Sequence, residues 1–192
     1  MNKNIIKASA FILIGGESKR FGHAKWQVML EGETILDRIW ESCRNFEYRY
    51  IIGKNRPLNL NNKPFLQDKL KIQAPINGLY TALNYSKTDW IMLLSCDLPL
   101  ANADIFNDLW CQRDENLDII IPFANNKYQV TCAFYHKRIL AHLFNAIKTY
   151  DYSLYRLLLK LESKKILFNN DNRFWNMNTK QEYQRILNFV GK

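Results

Sequence analysis

Four short runs, Ala8 to Ile14, Tyr48 to Ile52, Trp90 to Leu94 and Leu117 to Phe123, are dominated by apolar and aromatic side chains without a regular polar alternation. Set off by Gly, Asp or Pro, they read as strands buried on both faces, and such strands need helices above and below them. The stretches between them supply those helices. Ile35, Leu36, Ile39, Trp40 and Cys43 form one apolar stripe behind a cap at Thr34. Ile76, Leu79, Tyr80 and Leu83 form a second behind Pro75, and Ile105, Phe106, Leu109 and Trp110 a third. The three-and-four spacing is that of core-facing helices. The alternation predicts right-handed crossovers and a mostly parallel sheet in an α/β fold, a three-layer α/β/α sandwich.

The second half departs from this rhythm. Gln129 to Tyr135 reads as a strand, helices follow around Ile139 to Ile147 and from Ser153 to Leu161, and Lys165 to Phe168 reads as a further strand. The last helix opens at Thr179 with Glu182 three residues later, a capping-box spacing, and continues through Tyr183, Ile186 and Leu187. No linker-like or repeated segment divides the 192 residues. One domain is therefore expected, long enough to bury about 70% of its extended-chain surface.

Cys43, Cys96, Cys111 and Cys132 contain no C-x-x-C pair, and His23, His136 and His142 fall at no zinc-like spacing from them. Four reduced thiols in a cytoplasmic protein are expected. Lys3 and Lys7 precede an apolar run that breaks at Gly15 and Gly16 with charged residues next, unlike a secretory signal, and no run approaches the roughly eighteen apolar residues that span a bilayer. The net charge of +9 points to an anionic partner. The cations are scattered, with pairs at Lys19-Arg20, Lys137-Arg138 and Lys164-Lys165 but no block, so most read as solvated surface.

In open sheets of this kind ligands bind beyond the carboxyl ends of the strands, so the segments that directly follow strands carry the functional question. I14-G-G-E-S-K-R-F-G-H-A-K25 follows the first run. Glycines let backbone N–H groups approach an anion. The loop fits neither G-x-G-x-x-G nor a Walker A loop, because Gly16 and Gly22 are six apart and His23 follows in place of Lys-Ser. From the glycines alone, a phosphate cradle and a surface turn with incidental charge are both open. S95-C-D-L-P99 follows the third run, and an aspartate there can hold a divalent metal among phosphates or simply make a turn. F174-W-N-M-N-T179 sets two asparagines one residue apart on an extended segment, where they point the same way and serve either a ligand or the start of the last helix.

Taken in order, these segments resemble the molybdenum cofactor guanylyltransferases, the MobA-like nucleotidyltransferases, over nearly the whole chain. The family signature L-A-G-G-x-S-x-R-M-G-x-D-K is matched by L13-I-G-G-E-S-K-R-F-G-H-A-K25, its C-D-x-P by C96-D-L-P99, its G-P-L-A-G by A74-P-I-N-G78 and its N-x-N-T by N176-M-N-T179. The resemblance implies a Rossmann-like nucleotide-diphospho-sugar transferase fold. It implies transfer of GMP from GTP to the terminal phosphate of molybdopterin or the molybdenum cofactor, with release of pyrophosphate and formation of the guanine dinucleotide. It also implies one domain over 1–192, its N-terminal part binding GTP and its C-terminal part molybdopterin, acting in the cytoplasm without nucleic acid or membrane. Transient contacts with other cofactor-biosynthesis proteins or recipient molybdoenzymes fit the same picture.

By that resemblance Leu13, Ile14 and Gly15 contact the guanine nucleotide and Gly16 supports the turn. Lys25 and Arg20 bind its phosphates and act with Asp97, which holds Mg²⁺, or Mn²⁺ in its place. Asp68 and Gly78 belong to the nucleotide side. Gly53, with Asn55 two residues on, stands where relatives carry a nucleotide-contacting asparagine. Asn176 and Asn178 take the pterin or metal side. The chain departs from the pattern where Ala24 replaces the acid before the lysine, Ile14 a small residue and Ala74 the first glycine of its motif.

Related cytidylyltransferases carry L-A-A-G where Gly15-Gly16 keeps the guanylyl form, whose small second position leaves room for a purine amino group. GTP is therefore expected over CTP. The competing readings are a cytidylyltransferase or sugar-phosphate nucleotidyltransferase, a GTP-binding relative without transfer, and a basic RNA-binding module. The last explains the charge but not the conjunction of glycine loop, aspartate and N-x-N-T. A phosphomonoester with a second pKa near about 6 is largely dianionic at pH 7 and attacks phosphorus without a dedicated general base. That suits a chain without a Ser-His-Asp or Cys-His constellation.

Overall fold

The buried runs form the middle of one sheet. In the computed structural model, which describes residues 5–15 and 24–191, the chain runs through β1 (Ile6–Leu13), the short pair β2 (Met29–Leu30) and β3 (Glu33–Thr34), α1 (Ile35–Ser42), β4 (Phe46–Gly53), β5 (Phe65–Gln67), α2 (Pro75–Tyr85) and β6 (Trp90–Ser95). It continues through α3 (Ala103–Trp110), β7 (Ile119–Ala124), β8 (Lys127–Tyr128), β9 (Cys132–His136), α4 (Leu140–Lys148), α5 (Leu154–Leu158), β10 (Ser163–Phe168) and α6 (Lys180–Val190). The main sheet has the order β10-β7-β9-β6-β1-β4-β5, with β8 on β7. The pairs β1/β4, β1/β6, β4/β5 and β7/β10 are parallel.

Strand periodicity explains the three layers. Ala8, Ala10 and Ile12 face one side with Met92 and Leu94, and pack there with Ile39 of α1, Ile105 of α3 and Ile186 of α6. Phe11, Ile91 and Leu93 face the other side with Leu79 of α2, Leu143 of α4 and Leu157 of α5. Each large aliphatic side chain so buried contributes about 1.5–3 kcal/mol. Trp40, Tyr80 and Trp110 are only partly buried and flank these clusters.

The helix starts follow local chemistry. Thr34 Oγ1 accepts from the Asp37 N–H at 3.0 Å, and Pro75 is the first residue of α2. Thr179 and Glu182 close the expected capping box, with Thr179 Oγ1 accepting from the Glu182 N–H at 3.2 Å and the Glu182 carboxylate accepting from the Thr179 N–H at 2.9 Å.

Two features go beyond the sequence pattern. The three-residue β5 extends the sheet past β4, and β9 lies antiparallel between β6 and β7. Asn125 and Asn126, with φ of 52° and 59°, form the two-residue turn that reverses the chain from β7 into β8. The strand expected from Gln129 begins at Cys132, after a turn in which the Gln129 carbonyl accepts from the Cys132 N–H at 2.8 Å.

Candidate functional site

Register brings the carboxyl ends of the parallel strands level. Leu13 pairs with Ile52 on one side and Ser95 on the other, and Gly53 pairs with Gln67. The chain leaves β1 through α1 to β4 on one flank and reaches β6 through α2 on the other. β1 is thus a switch point of the kind at which α/β sheets bind ligands. A cavity of about 470 Å³ opens there, with Leu13, Gly15, Asp68, Gly78, Ser95 and Asp97 among its walls.

At its edge three distant segments meet. Lys25 Nζ donates to Asp97 Oδ1 at 2.7 Å and to Asn178 Oδ1 at 2.7 Å. The lysine side chain is 17% exposed and the aspartate 40%. Each member is held by its own backbone. Lys25 opens a 3₁₀ turn, Lys25–Gln27, that follows Ala24. The Asp97 N–H donates to Ser95 Oγ at 3.2 Å, and the Asp97 carbonyl accepts from the Met177 N–H at 2.9 Å, joining C96-D-L-P99 directly to N176-M-N-T179. The Asn178 N–H donates to Glu182 at 2.7 Å, so the carboxylate that caps α6 also fixes Asn178.

Among the described residues no group of three or more His, Cys, Asp or Glu could hold a metal ion unaided. Asp97 faces the cavity, and its Oδ2 accepts no hydrogen bond among those residues. One such carboxylate suits Mg²⁺, which takes most of its ligands from phosphate oxygens and water. Cys96, next to it, is fully buried, and burial pushes its thiol pKa well up. A protonated thiol of that kind is not a nucleophile at neutral pH.

The other wall is the loop after β5. The Asp68 N–H donates to the Gly53 carbonyl at 3.0 Å, and Asp68 is half-buried with its carboxyl pKa raised by desolvation, an effect that Lys54 partly offsets. Gly78 lies where α2 crosses the end of β1. A Cβ there would stand 2.4 Å from Leu13 Cδ2, so a larger residue fits only if the end of the Leu13 side chain shifts.

The remaining sequence candidates distribute as follows. Gly16 and Arg20 lie outside the described residues. Ile14 and Gly53 are not among the cavity's lining residues. They pack together beneath its edge, the ideal Cβ position of Gly53 lying 3.0 Å from Ile14 Cγ1. Asn55 is exposed and away from the cavity lining. Asn176 donates to the Phe174 carbonyl at 3.3 Å, while Asn178 reaches Lys25, so the paired asparagines have separate partners. Lys54, Ser95 and Thr131 line the cavity and are not singled out by the sequence. Ser95 and Lys54 follow from the same rule that points to Asp97, because each sits at a strand's carboxyl end. Thr131 does not, because it precedes β9, whose reversed direction brings its first residues to this end.

The MobA-like NTP transferase domain matches residues 10–165. A probable molybdenum cofactor guanylyltransferase from Aquifex aeolicus (strain VF5) is 30% identical over 183 residues, covering 93% of this chain and 90% of that protein. One from Clostridium perfringens (strain 13 / Type A) is 29% identical over 200 residues, covering 95% and 98%. The crystal structure of molybdopterin-guanine dinucleotide biosynthesis protein A from Archaeoglobus fulgidus matches with a TM-score of 0.79 at 19% identity, over 95% of this chain and 98% of that one. That of 2-C-methyl-D-erythritol 4-phosphate cytidylyltransferase from Thermus thermophilus matches with 0.71 at 12% identity, over 97% and 100%. At these identities the two structures show the fold alone, a mostly parallel sheet flanked by helices.

Proposed function

The chain belongs to the MobA-like NTP transferase family, and on that premise we propose that it is a molybdenum cofactor guanylyltransferase. The terminal phosphate of molybdopterin, or of its molybdenum-bearing form, attacks the α-phosphorus of GTP. The bond to the leaving oxygen breaks, pyrophosphate departs and the guanine dinucleotide forms. The observation that carries this reading is the meeting of Lys25, Asp97 and Asn178, the lysine lying 72 and 153 residues from its partners, beside a cavity at the strand ends.

The whole chain acts as one domain. Its N-terminal part, with Leu13, Gly15, Asp68 and Gly78 around the cavity, takes GTP, while Ile14 and Gly53 support the edge. Gly16 and Arg20 complete the nucleotide loop, and Asn55 is reached only by the outer part of the ligand. The acceptor takes the C-terminal side. Asn178 Oδ1 is engaged by Lys25, and among the described residues its Nδ2 donates no hydrogen bond, which leaves that donor for an acceptor phosphate. Asn176 flanks the same acceptor.

Asp97 is the residue that would hold Mg²⁺, with Mn²⁺ as a substitute, and the ion would neutralise charge on phosphate oxygens. Lys25 supplies a fixed positive charge against the charge that moves onto pyrophosphate, and removal of such a group takes away about 3 kcal/mol of transition-state stabilisation. Holding the two substrates in line is the chain's other task. No general base is required of it. No helix among the described residues is long and apolar enough to cross a membrane, and cytoplasmic location with transient handover to other cofactor-handling proteins completes the reading.

The test is pyrophosphate release with Mg²⁺, molybdopterin and each of the four NTPs in turn. Release with GTP, and a product with the mass of the guanine dinucleotide, is expected. Selective release with CTP, or GTP binding without release, overturns the assignment.

A further inference from the structure

Asn77 is 2% exposed on α2, where its neighbours Ile76 and Leu79 are fully buried apolar residues. Its carboxamide is committed to the loop that precedes the helix. Oδ1 accepts from the Leu70 N–H at 3.0 Å, and Nδ2 donates to the Leu70 carbonyl at 2.6 Å and to the Ile72 carbonyl at 3.1 Å. One turn along, Thr81 Oγ1, also buried, accepts from the Lys69 N–H at 3.0 Å.

Residues 68–74 form no helix or strand, yet Asp68, Ile72, Gln73 and Ala74 line the cavity. After Asp68 and before Ala74, the loop's hydrogen bonds among the described residues all run to these two side chains. A buried amide on a core-facing helix is costly unless it is hydrogen-bonded, and here every partner is a loop backbone group that a leucine in its place would leave without this bond. Asn77 also stands where the family motif G-P-L-A-G carries alanine, so the helix itself does not demand it.

We propose that Asn77, supported by Thr81, is a positioning residue for nucleotide binding: its carboxamide presets the loop so that Asp68, Ile72 and Gln73 meet the ligand as a finished wall. The inference rests on the reading that a nucleotide fills this cavity. A wall that is already ordered need not be ordered by the ligand, and that difference falls on affinity. Asn77 touches neither Lys25 nor Asp97, so turnover at saturation stays with those groups.

Asn77→Ala removes the tether, Asn77→Asp keeps the volume and the acceptor but loses both donors, and Thr81→Val removes the second tie with little change in shape. With GTP as the varied substrate, both Asn77 variants raise KM and the GTP Kd about tenfold, the loss of two or three modest hydrogen bonds, and Thr81→Val raises them about threefold. In all three kcat stays within about twofold while the thermal transition remains cooperative. Amide exchange accelerates at Lys69 and Leu70 ahead of the rest of the chain. An unchanged KM in a folded variant, a fall in kcat at constant KM, or wild-type behaviour of Asn77→Asp overturns the proposal. If the wild type binds another NTP and not GTP, the guanine reading falls and the same comparison with that nucleotide decides on Asn77. If it binds none, both fall.

Discussion

The loop from Asp68 to Pro75 and the cluster of Lys25, Asp97 and Asn178 lie at the same end of the sheet and are built by opposite means. The loop hangs on neutral hydrogen bonds whose partners are 5 to 12 residues apart. The cluster is one ion pair and one charge-assisted hydrogen bond, made by Lys25 to groups 72 and 153 residues away. The first is complete once α2 and the segment before it have folded; the second exists only after both ends of the chain have docked on the sheet. Their energetics differ in the same way. A Lys–Asp pair with one partner 40% exposed stabilises a fold by no more than about 1 kcal/mol. The cluster is therefore a weak structural tie, and its use lies in the charges it holds ready.

The most direct way to break that contrast is to remove the charges. Asp97→Ala and Lys25→Ala each lower turnover with GTP, Mg²⁺ and molybdopterin about a hundredfold or more, the equivalent of roughly 3 kcal/mol, while the melting temperature moves by only a few degrees. A large loss of stability with near-normal turnover would make the cluster structural after all.

Gly78→Ala probes the loop side. The added Cβ would meet Leu13 Cδ2 at 2.4 Å, and the end of that side chain, which lines the cavity, must shift to relieve it. KM for GTP rises about tenfold with kcat little changed, an effect of order 1.4 kcal/mol on binding. An equal loss in kcat would show that the two regions are not separable.

The smallest effect sharpens the electrostatic side of the comparison. Burial raises the Asp68 pKa above its ordinary 3.8. The folded chain therefore keeps that proton to higher pH than the unfolded chain does. Stability linked to Asp68 is present below pH 3.8 and is lost as pH rises through the folded value, so its charged form opposes folding at neutral pH. Asp68→Asn raises the melting temperature slightly at pH 7, and the gain disappears towards pH 3. A pH-independent gain would assign the effect to something other than ionisation.

How much of this is legible in the sequence follows from the same division. The central strands, the helices with their caps at Thr34 and Thr179, and the strand-end location of Asp97 all rest on local patterns, and the structure reproduces them. The three-residue β5 is too short to carry a periodicity. The reversal of β9 follows the turn at Asn125-Asn126 and is not read from the sequence, because a strand's direction is not a property of its own residues. Likewise nothing in N176-M-N-T179 states that Asn178 meets Lys25, because that contact is set by where the last helix docks. Asn77 is hidden for the opposite reason: it sits inside a motif whose match rests on Pro75 and Gly78, and only its partners reveal its use.

The central claim is that Lys25 and Asn178, from opposite ends of the chain, work as one unit at the site of GMP transfer. A double-mutant cycle on turnover with GTP, Mg²⁺ and molybdopterin measures this. Lys25→Ala is expected to lose about a hundredfold and Asn178→Ala about tenfold, and the double variant should be no more than about threefold worse than Lys25→Ala, since Glu182 holds the Asn178 backbone but only the lysine orients its carboxamide. Losses that multiply to about a thousandfold would show two independent groups and contradict the account.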